Sequence, residues 1–224
     1  MRLGQTMPKI THIIFDFDGL LLDTEPIYCR VNQIIAQRYG KAFTQAIHRK
    51  IMGRQALECA QILVDVLELP LSAEEHLQAR NELIFDMLPE AKPMPGAETL
   101  TQWFYQHNIP MAIATSSAEV TFNLKVKRYA SWLETFDAIV LGSDPDVVHS
   151  KPAPDSFLVA AERLEVDPAN CLVFEDSPAG VKAGKTAGMS VVAVPAAHME
   201  EALYSKADEI LTSLTDFEPA KWKL

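Results

Sequence analysis

The stretch Ile13-Ile14-Phe15-Asp16-Phe17-Asp18-Gly19 places two carboxylates two residues apart at the end of a short apolar run. Such a run is typical of a buried strand in a parallel sheet. Because strand side chains repeat every two residues, Asp16 and Asp18 would point to the same side, and Gly19 permits a sharp turn directly after them. Ligands of open α/β sheets bind at the carboxyl ends of the strands. The pair therefore marks a candidate site, with an acidic turn of no function as the alternative.

The rest of the chain repeats this pattern of short apolar runs. Together with Ile10–Phe15, the runs are Pro110–Ala114, Ala138–Leu141, Cys171–Phe174 and Ser190–Val194. Stretches with helical spacing lie between them, at Ala97–His107, Ala118–Tyr129, Asp155–Leu164 and Ala179–Ala187. Strands that alternate with helices predict an open α/β fold with a parallel sheet.

One segment, from about Pro26 to Leu88, breaks the alternation. It contains three stretches of helical spacing and no convincing strand: Ile27–Tyr39, Gln55–Leu67 and Ala73–Leu88. Several helices inserted after the first strand predict a separate helical lobe, with connections at Asp23–Pro26 and around Pro93 and Pro95, where proline stiffens the chain. The predicted domains are a core of residues 1–24 and 93–224 and a helical domain of residues 25–92.

The composition narrows the possible partners. The chain has 224 residues, of which 48% are hydrophobic and 22% are charged, as in an ordinary globular protein. Twenty Lys and Arg against thirty Asp and Glu give a formal charge of -10, and no basic stripe is visible. Proteins that bind the phosphate backbone of nucleic acids need such a stripe. We therefore expect no nucleic-acid partner, and an anionic substrate would need a local cation.

The cysteines and the hydropathy pattern indicate the compartment. Cys29, Cys59 and Cys171 are widely spaced, which argues against a disulfide framework and against a zinc site. No apolar run approaches the roughly 20 residues of a membrane span, and the first residues lack the apolar stretch of a signal peptide. The sequence predicts a cytoplasmic protein without membrane contact.

Two further motifs follow predicted strands. Thr115, Ser116 and Ser117 come directly after one run, and hydroxyl and backbone N–H groups before a helix can hold a phosphoryl group. Helix capping is the alternative for these residues. Lys151 lies in a loop before a helix, where it could offset phosphate charge. A solvated surface lysine is the alternative there.

A second pair of acids, Glu175 and Asp176, ends the run Cys171–Phe174 and opens a helix. Acids in a first helical turn also favour the helix dipole, which is the alternative without function. At the same sheet edge as Asp16, however, these carboxylates repel one another unless a cation joins them. Mg²⁺ fits, because it prefers oxygen ligands and bridges to phosphate.

The order and spacing of these motifs resemble the haloacid dehalogenase (HAD) superfamily. The matching residues are Asp16-Phe17-Asp18-Gly19 with Asp23-Thr24, then Thr115, Lys151 and Glu175-Asp176, spanning residues 10 to about 195. The resemblance implies a Rossmann-like parallel sheet core with an inserted helical cap, which agrees with the alternation of strands and helices and with the segment that interrupts it.

The resemblance also implies a role for each residue. Asp16 would attack phosphorus and form an aspartyl-phosphate, and Asp18 would act as general acid and then general base. Thr115 and Ser116 would bind the phosphoryl group, and Lys151 would offset its charge. The implied Mg²⁺ ligands are Asp16, the main-chain carbonyl of Asp18, Asp176 and, through water, Glu175. The second acid, Asp18, indicates phosphoryl transfer rather than dehalogenation, because halide leaves without a proton. A β-phosphoglucomutase-like isomerase stays open.

The helical insertion is the expected source of specificity, with Arg54 in the segment Met52–Glu58 as a candidate substrate-binding residue. A solvated Arg54/Glu58 pair at a helix start is the alternative. The whole chain further resembles the animal pseudouridine-5′-phosphatases, for example at Phe15–Glu25 and Val140–Pro154, although Ser150 replaces a common Gly. This implies a phosphatase of pseudouridine 5′-phosphate. Because the sequence gives no reason for an obligate partner, we expect a monomer. The alternatives are phosphatases of glycerol phosphate, sugar phosphate or flavin mononucleotide, the isomerase, and a non-catalytic HAD-like binding protein.

Overall fold

The computed structural model describes residues 9–51 and 56–224, without the side chain of Arg49. The strands are β1 His12–Phe15, β2 Leu22–Asp23, β3 Lys92–Pro93, β4 Met111–Ala114, β5 Ala138–Val140, β6 Cys171–Glu175, β7 Ser190–Ala193 and β8 Glu209–Ile210. The helices are α1 Glu25–Arg38, α2 Gln45–Ile51, α3 Ala56–Leu67, α4 Ala73–Met87, α5 Ala97–Gln106, α6 Glu119–Val126, α7 Ala130–Leu133, α8 Asp155–Arg163 and α9 Pro178–Thr186.

Six strands form one parallel sheet in the order β5-β4-β1-β6-β7-β8. The predicted parallel α/β fold is thereby confirmed. The first strand lies in the middle of the sheet, between β4 and β6. Because the three strands are parallel, their carboxyl ends lie side by side at the same edge of the sheet. This arrangement brings together residues that lie as far as 160 positions apart, from Asp16 to Asp176.

The sheet is packed on both faces. On one face the rings of Phe15 and Phe174 stack with their centroids 4.9 Å apart, and Phe104 and Phe217 pack around them. Alternate residues of the same strands, such as Ile14 and Val173, are fully buried on the other face. Burial on both faces explains why the strands appear in the sequence as continuous apolar runs rather than as alternating patterns.

A two-residue antiparallel pairing connects the helices to the sheet. In it Leu22 pairs with Pro93 and Asp23 pairs with Lys92. Helices α1–α4, which we call the helical insertion, lie between these two strands in the chain. The pairing falls at the two connections that the sequence indicates, although the division into two domains at residues 24/25 and 92/93 stays a prediction.

Some elements differ from the sequence prediction. The predicted helix Ala118–Tyr129 was too long: α6 ends at Val126, and the Tyr129 hydroxyl donates to the Ala91 carbonyl at 2.7 Å. Helix α2 and the short strands β2, β3 and β8 were not predicted, because two-residue strands leave no periodic pattern. Among the described residues, none of the helices has both the length and the apolar character to cross a membrane.

Candidate active site

The carboxyl end of β1 holds the first two acids. The Asp16 amide donates to the Phe174 carbonyl at 3.0 Å, which fixes the backbone against β6, and the Asp16 side chain is buried. The turn after Asp18 is made by Gly19, whose φ of 85° is in the left-handed region. A Cβ atom at Gly19 would collide with the Asp176 carboxylate. Glycine is therefore required here to bring the two loops together.

Lys151 is buried at the centre of the site. Its Nζ donates to Asp16 Oδ1 at 2.5 Å, to Glu175 Oε1 at 2.7 Å and to the Ala114 carbonyl at 3.0 Å. The three ammonium protons thus have three acceptors, supplied by β1, β6 and β4. The two carboxylates raise the pKa of Lys151 although its burial opposes the shift. The lysine therefore stays charged and joins three strand ends. It is not the solvated surface lysine of the alternative interpretation.

Both oxygens of the Glu175 carboxylate accept hydrogen bonds. Oε1 accepts from Lys151, and Oε2 accepts from the Ser177 amide and hydroxyl, both at 2.9 Å. Ser177 in turn caps helix α9 by accepting from the Gly180 amide at 3.0 Å. A side chain at Gly180 would overlap the Glu175 carboxylate. Glu175 therefore positions Lys151, and its predicted contact with a metal through water stays a prediction.

Asp16, Glu175 and Asp176 form a carboxylate cluster in which one oxygen of each residue lies within 4.8 Å of the others. Burial raises the pKa of Asp16 to about 7; Lys151 opposes the shift, and Glu175 and Asp18 add to it. Burial and the charges of Glu175 and Asp16 raise the pKa of Asp176 well above its ordinary value. The protein alone does not stabilise these anions. A hard divalent cation would do so, and the all-oxygen set suits Mg²⁺.

Asp18 is held by a residue that the sequence analysis missed. The Lys125 ammonium forms an ion pair with Asp18 Oδ1 and donates to the Ser117 hydroxyl at 2.6 Å, and that hydroxyl donates to Asp18 Oδ2 at 2.7 Å. Burial raises the pKa of Asp18, but Lys125 and hydrogen bonds from Ser117 and Thr24 outweigh it and hold the pKa below 3.8. Helical spacing could have indicated this residue, because it places Lys125 beside Phe122 and Val126 on the face of α6 that is buried.

The hydroxyl motif lies beside both aspartates. Thr115 is buried, and its hydroxyl accepts from the Ser117 amide at 3.0 Å and donates to Asp18 Oδ2 at 3.4 Å. Ser116 is exposed and lines the same cavity as Asp16 and Lys151. Arg54 lies outside the described residues, so its role in substrate binding stays a prediction.

Two cavities meet at this site. One, of about 500 Å³, contains Asp16, Lys151 and the hydroxyl motif. The other, of about 410 Å³, lies between the four helices of the helical insertion and the sheet edge. Their linings share Asp18, Tyr28, Ala56 and Asp176. A ligand that fills both cavities would place one end at Asp16 and the other inside the helical insertion.

The largely apolar lining of the second cavity contains a few polar groups with unused hydrogen-bonding capacity. Asn32 Oδ1 and His76 Nδ1 are buried and have no hydrogen-bond partner among the described residues. Arg80 lies over the Tyr28 ring, 5.0 Å from its centroid. Buried polar atoms without partners are costly, so these atoms indicate where a polar ligand would bind.

The comparison with known proteins agrees with this geometry. The haloacid dehalogenase-like hydrolase family matches residues 13–194, a range that contains every site residue described above. The chain belongs to this family. Within the family it is a phosphatase, a phosphoric monoester hydrolase that acts on small phosphate esters.

Individual relatives differ in their named substrates. (DL)-glycerol-3-phosphatase 2 of Arabidopsis thaliana is 44% identical over 221 residues, covering 96% of this chain and 92% of that protein. A Drosophila melanogaster protein named "Probable pseudouridine-5'-phosphatase" is 41% identical over 224 residues, covering 99% and 97%. Among solved structures, β-phosphoglucomutase from Clostridium difficile has a TM-score of 0.74 at 23% identity, covering 95% and 97% of the two chains, which shows a shared fold.

The Lys125–Asp18 ion pair makes a prediction about stability and pH. Lys125→Met leaves the Asp18 carboxylate without its cation. We expect this to lower the unfolding free energy by about 3 kcal/mol at pH 7. This value is the lower end of the range for buried ion pairs, because the Asp18 side chain is 26% exposed. The pair stabilises the fold above the ordinary pKa of Asp18, and this contribution is lost as the pH falls through the lowered pKa. In Lys125→Met the Asp18 carboxyl keeps its burial but loses its cation, so its pKa is raised and it takes up a proton as the pH falls from 7 to 4. The difference between variant and wild type, measured by urea unfolding, should therefore shrink from pH 7 to pH 4 and shrink further below the ordinary pKa of Asp18.

Lys127→Met is the matched control, since Lys127 is exposed and lies two residues further along. It should change the unfolding free energy by less than about 0.5 kcal/mol at either pH. A Lys125→Met difference that is constant with pH would contradict the coupling to Asp18.

Proposed function

We propose that the protein hydrolyses pseudouridine 5′-phosphate through an aspartyl-phosphate intermediate, with Mg²⁺ as its cofactor. The observation that carries the substrate assignment is the unpartnered Asn32 Oδ1, a buried acceptor in the cavity of about 410 Å³. Pseudouridine carries an N1–H donor that uridine lacks, because its base joins the ribose through carbon. The cavity volume falls within the range of about 300–1,000 Å³ that suits ligands of this size.

The chemistry uses both aspartates. The Asp16 carboxylate attacks phosphorus, a P–O bond forms to Asp16, and the ester P–O bond breaks. Asp18 gives its proton to the departing 5′ oxygen. In the second step Asp18 takes a proton from water, the water oxygen attacks the aspartyl-phosphate, and the Asp16–phosphorus bond breaks to release phosphate.

The protonation of Asp18 depends on the substrate. In the free protein Lys125 favours the carboxylate form of Asp18, which suits the general base of the second step. A bound phosphate dianion raises the pKa of a neighbouring carboxyl group, which favours the protonated form that the first step needs. Substrate binding would thus prepare the acid, and product formation would restore the base.

Positive charge at the site comes from Lys151 and from the metal. Lys151 contacts Asp16 directly and would lie beside the phosphoryl group during attack. Asp16 and Asp176 would hold Mg²⁺, together with the Asp18 main-chain carbonyl and, through water, Glu175. When bound, Mg²⁺ would reduce the repulsion between the carboxylates and the phosphate dianion. Thr115 and Ser116 would donate hydrogen bonds to the phosphoryl oxygens.

A glycerol phosphate is the second candidate substrate. It is favoured by the plant (DL)-glycerol-3-phosphatases, which are 43% and 44% identical to this chain over 221 residues. Glycerol 3-phosphate has two free hydroxyl groups that could meet Asn32 and His76, but its glycerol moiety would fill only part of the second cavity.

The nucleophile assignment is tested by Asp16→Asn. An amide does not attack phosphorus, so we expect kcat to fall by roughly 10³-fold or more while the circular dichroism spectrum is retained. The measurement is phosphate release at saturating Mg²⁺. Asp65→Asn, at a carboxylate on α3 bonded to Gln61, is the control and should keep wild-type activity. Wild-type turnover in Asp16→Asn would refute the role of Asp16.

The metal requirement is tested by chelation. After dialysis against EDTA we expect phosphate release to fall to background, because the carboxylate cluster then repels the substrate. Addition of Mg²⁺ should restore it. Full activity in the dialysed protein, with metal content verified by elemental analysis, would refute the cofactor assignment.

The substrate assignment is tested with pseudouridine 5′-phosphate, uridine 5′-phosphate and glycerol 3-phosphate. We expect kcat/KM to be highest for pseudouridine 5′-phosphate. Asn32→Leu should lower the ratio of kcat/KM for pseudouridine 5′-phosphate to kcat/KM for uridine 5′-phosphate by roughly tenfold, because it removes about one hydrogen bond. Asn123→Leu, at an exposed position on α6, should leave the ratio unchanged. Preference for glycerol 3-phosphate would replace the substrate assignment and leave the aspartyl-phosphate chemistry in place.

A further inference from the structure

A second group of potential metal ligands lies where the helical insertion meets the sheet domain. Glu25 and Cys29 are one turn apart on α1 and therefore share a face, and His48 comes from α2. One ligand atom from each of these three residues lies within 4.8 Å of the others. His198, in the loop after β7, also lies near the group, with its Nε2 3.8 Å from Glu25 Oε1.

The distance between Cys29 and His48 matches the spacing of two ligands on one zinc ion. The Cys29 Sγ and His48 Nε2 atoms are 3.4 Å apart. Zinc bonds of about 2.3 Å to sulfur and 2.0–2.1 Å to nitrogen, at a tetrahedral angle, separate the two ligand atoms by about 3.5 Å. Glu25 Oε1 is 3.7 Å from the other ring nitrogen, His48 Nδ1, so the Glu25 carboxylate would have to turn toward Nε2 to complete the group around one ion.

The ligand chemistry differs from that of the carboxylate cluster. Sulfur and imidazole nitrogen are poor ligands for Mg²⁺ and good ligands for Zn²⁺ and Co²⁺. His48 is buried, with 8% of its surface exposed, and Cys29 and Glu25 are half-buried. Such a partly enclosed set with Cys, His and Glu donors is typical of zinc sites.

We propose that Cys29, His48 and Glu25 bind one Zn²⁺ ion and that His198 supplies the fourth ligand. On binding, the Cys29 thiol releases its proton to solvent and bonds to the ion as thiolate, while His48 and His198 each bond through a nitrogen lone pair. No electron is transferred. The proposal concerns a site separate from Asp16 and does not depend on the substrate.

The site would connect two parts of the chain. Three ligands belong to the helical insertion and one to the loop after β7, and Glu25 and His48 line the cavity of about 410 Å³. An ion bound by all four would tie the helical insertion to the sheet domain beside the substrate cavity. We therefore expect Zn²⁺ to slow the release of product while Mg²⁺ is held in excess.

The experiment uses Co²⁺ and Zn²⁺ on the full chain with Mg²⁺ in excess. Co²⁺ should produce the near-ultraviolet thiolate charge-transfer band and the intense visible bands of tetrahedral cobalt, saturating at one ion per chain. Zn²⁺ should displace it. Loss of even an outer partner of a metal ligand lowers affinity by about 10–100-fold, so Cys29→Ser should abolish the charge-transfer band and weaken Zn²⁺ binding by about 100-fold or more. His48→Gln should weaken it similarly.

Two controls separate ligand loss from general damage. Cys59→Ser tests the second cysteine of the helical insertion, which lines the cavity. His107→Ala tests an exposed histidine at the end of α5. Both variants should keep the cobalt spectrum. Zn²⁺ should raise the Tm of the wild type and not that of Cys29→Ser. His198→Ala should still bind Co²⁺, more weakly, and should lose the inhibition by Zn²⁺.

Several outcomes would overturn the proposal. Absence of stoichiometric Co²⁺ and Zn²⁺ binding by the wild type would refute the site. A charge-transfer band that survives Cys29→Ser and disappears in Cys59→Ser would refute the ligand assignment. Inhibition by Zn²⁺ that is equal in wild type and Cys29→Ser would indicate displacement of Mg²⁺ at Asp16 and refute the connection between the two parts.

Discussion

The whole site depends on four carboxylates that lie together at one sheet edge, two of them buried and two half-buried. Asp16, Asp18, Glu175 and Asp176 carry four negative charges when ionised, and two buried lysines, Lys125 and Lys151, supply two positive charges. The difference is two, the charge of one Mg²⁺ ion. Each lysine is already committed: Lys125 neutralises Asp18, and Lys151 lies between Asp16 and Glu175. The acids with raised pKa values, Asp16 and Asp176, are the two that the proposed metal would contact.

Backbone geometry makes this concentration of charge possible. Gly19 and Gly180 each lie against a carboxylate where a Cβ atom has no room. The parallel order of β4, β1 and β6 then places Thr115, Asp16 and Glu175 on adjacent strand ends. The sheet thus determines which side chains meet, and the two glycines determine how closely they approach.

The sequence was sufficient to predict the fold and the sheet-edge site, because both depend on local patterns. Short apolar runs identify buried strands, and the acids that follow them lie at a common edge for topological reasons. Lys125 and Asn32 could not be assigned in this way, since their importance comes from partners or cavities formed by distant segments. Asp18 and Lys125, for example, are 107 residues apart. The cysteine spacing likewise argued against zinc, because spacing along the chain does not reveal that Cys29 meets His48.

The antiparallel pairing of Leu22–Asp23 with Lys92–Pro93 has a consequence for how such proteins diversify. The chain leaves and re-enters the sheet domain at adjacent points, and all six strands of the sheet lie outside the segment between them. That segment can therefore be lengthened, shortened or exchanged without altering the strand order or the residues that follow β1, β4 and β6. The residues proposed for the reaction chemistry and the insertion proposed for substrate choice thus occupy different segments of the chain, so that a change in one would leave the other in place.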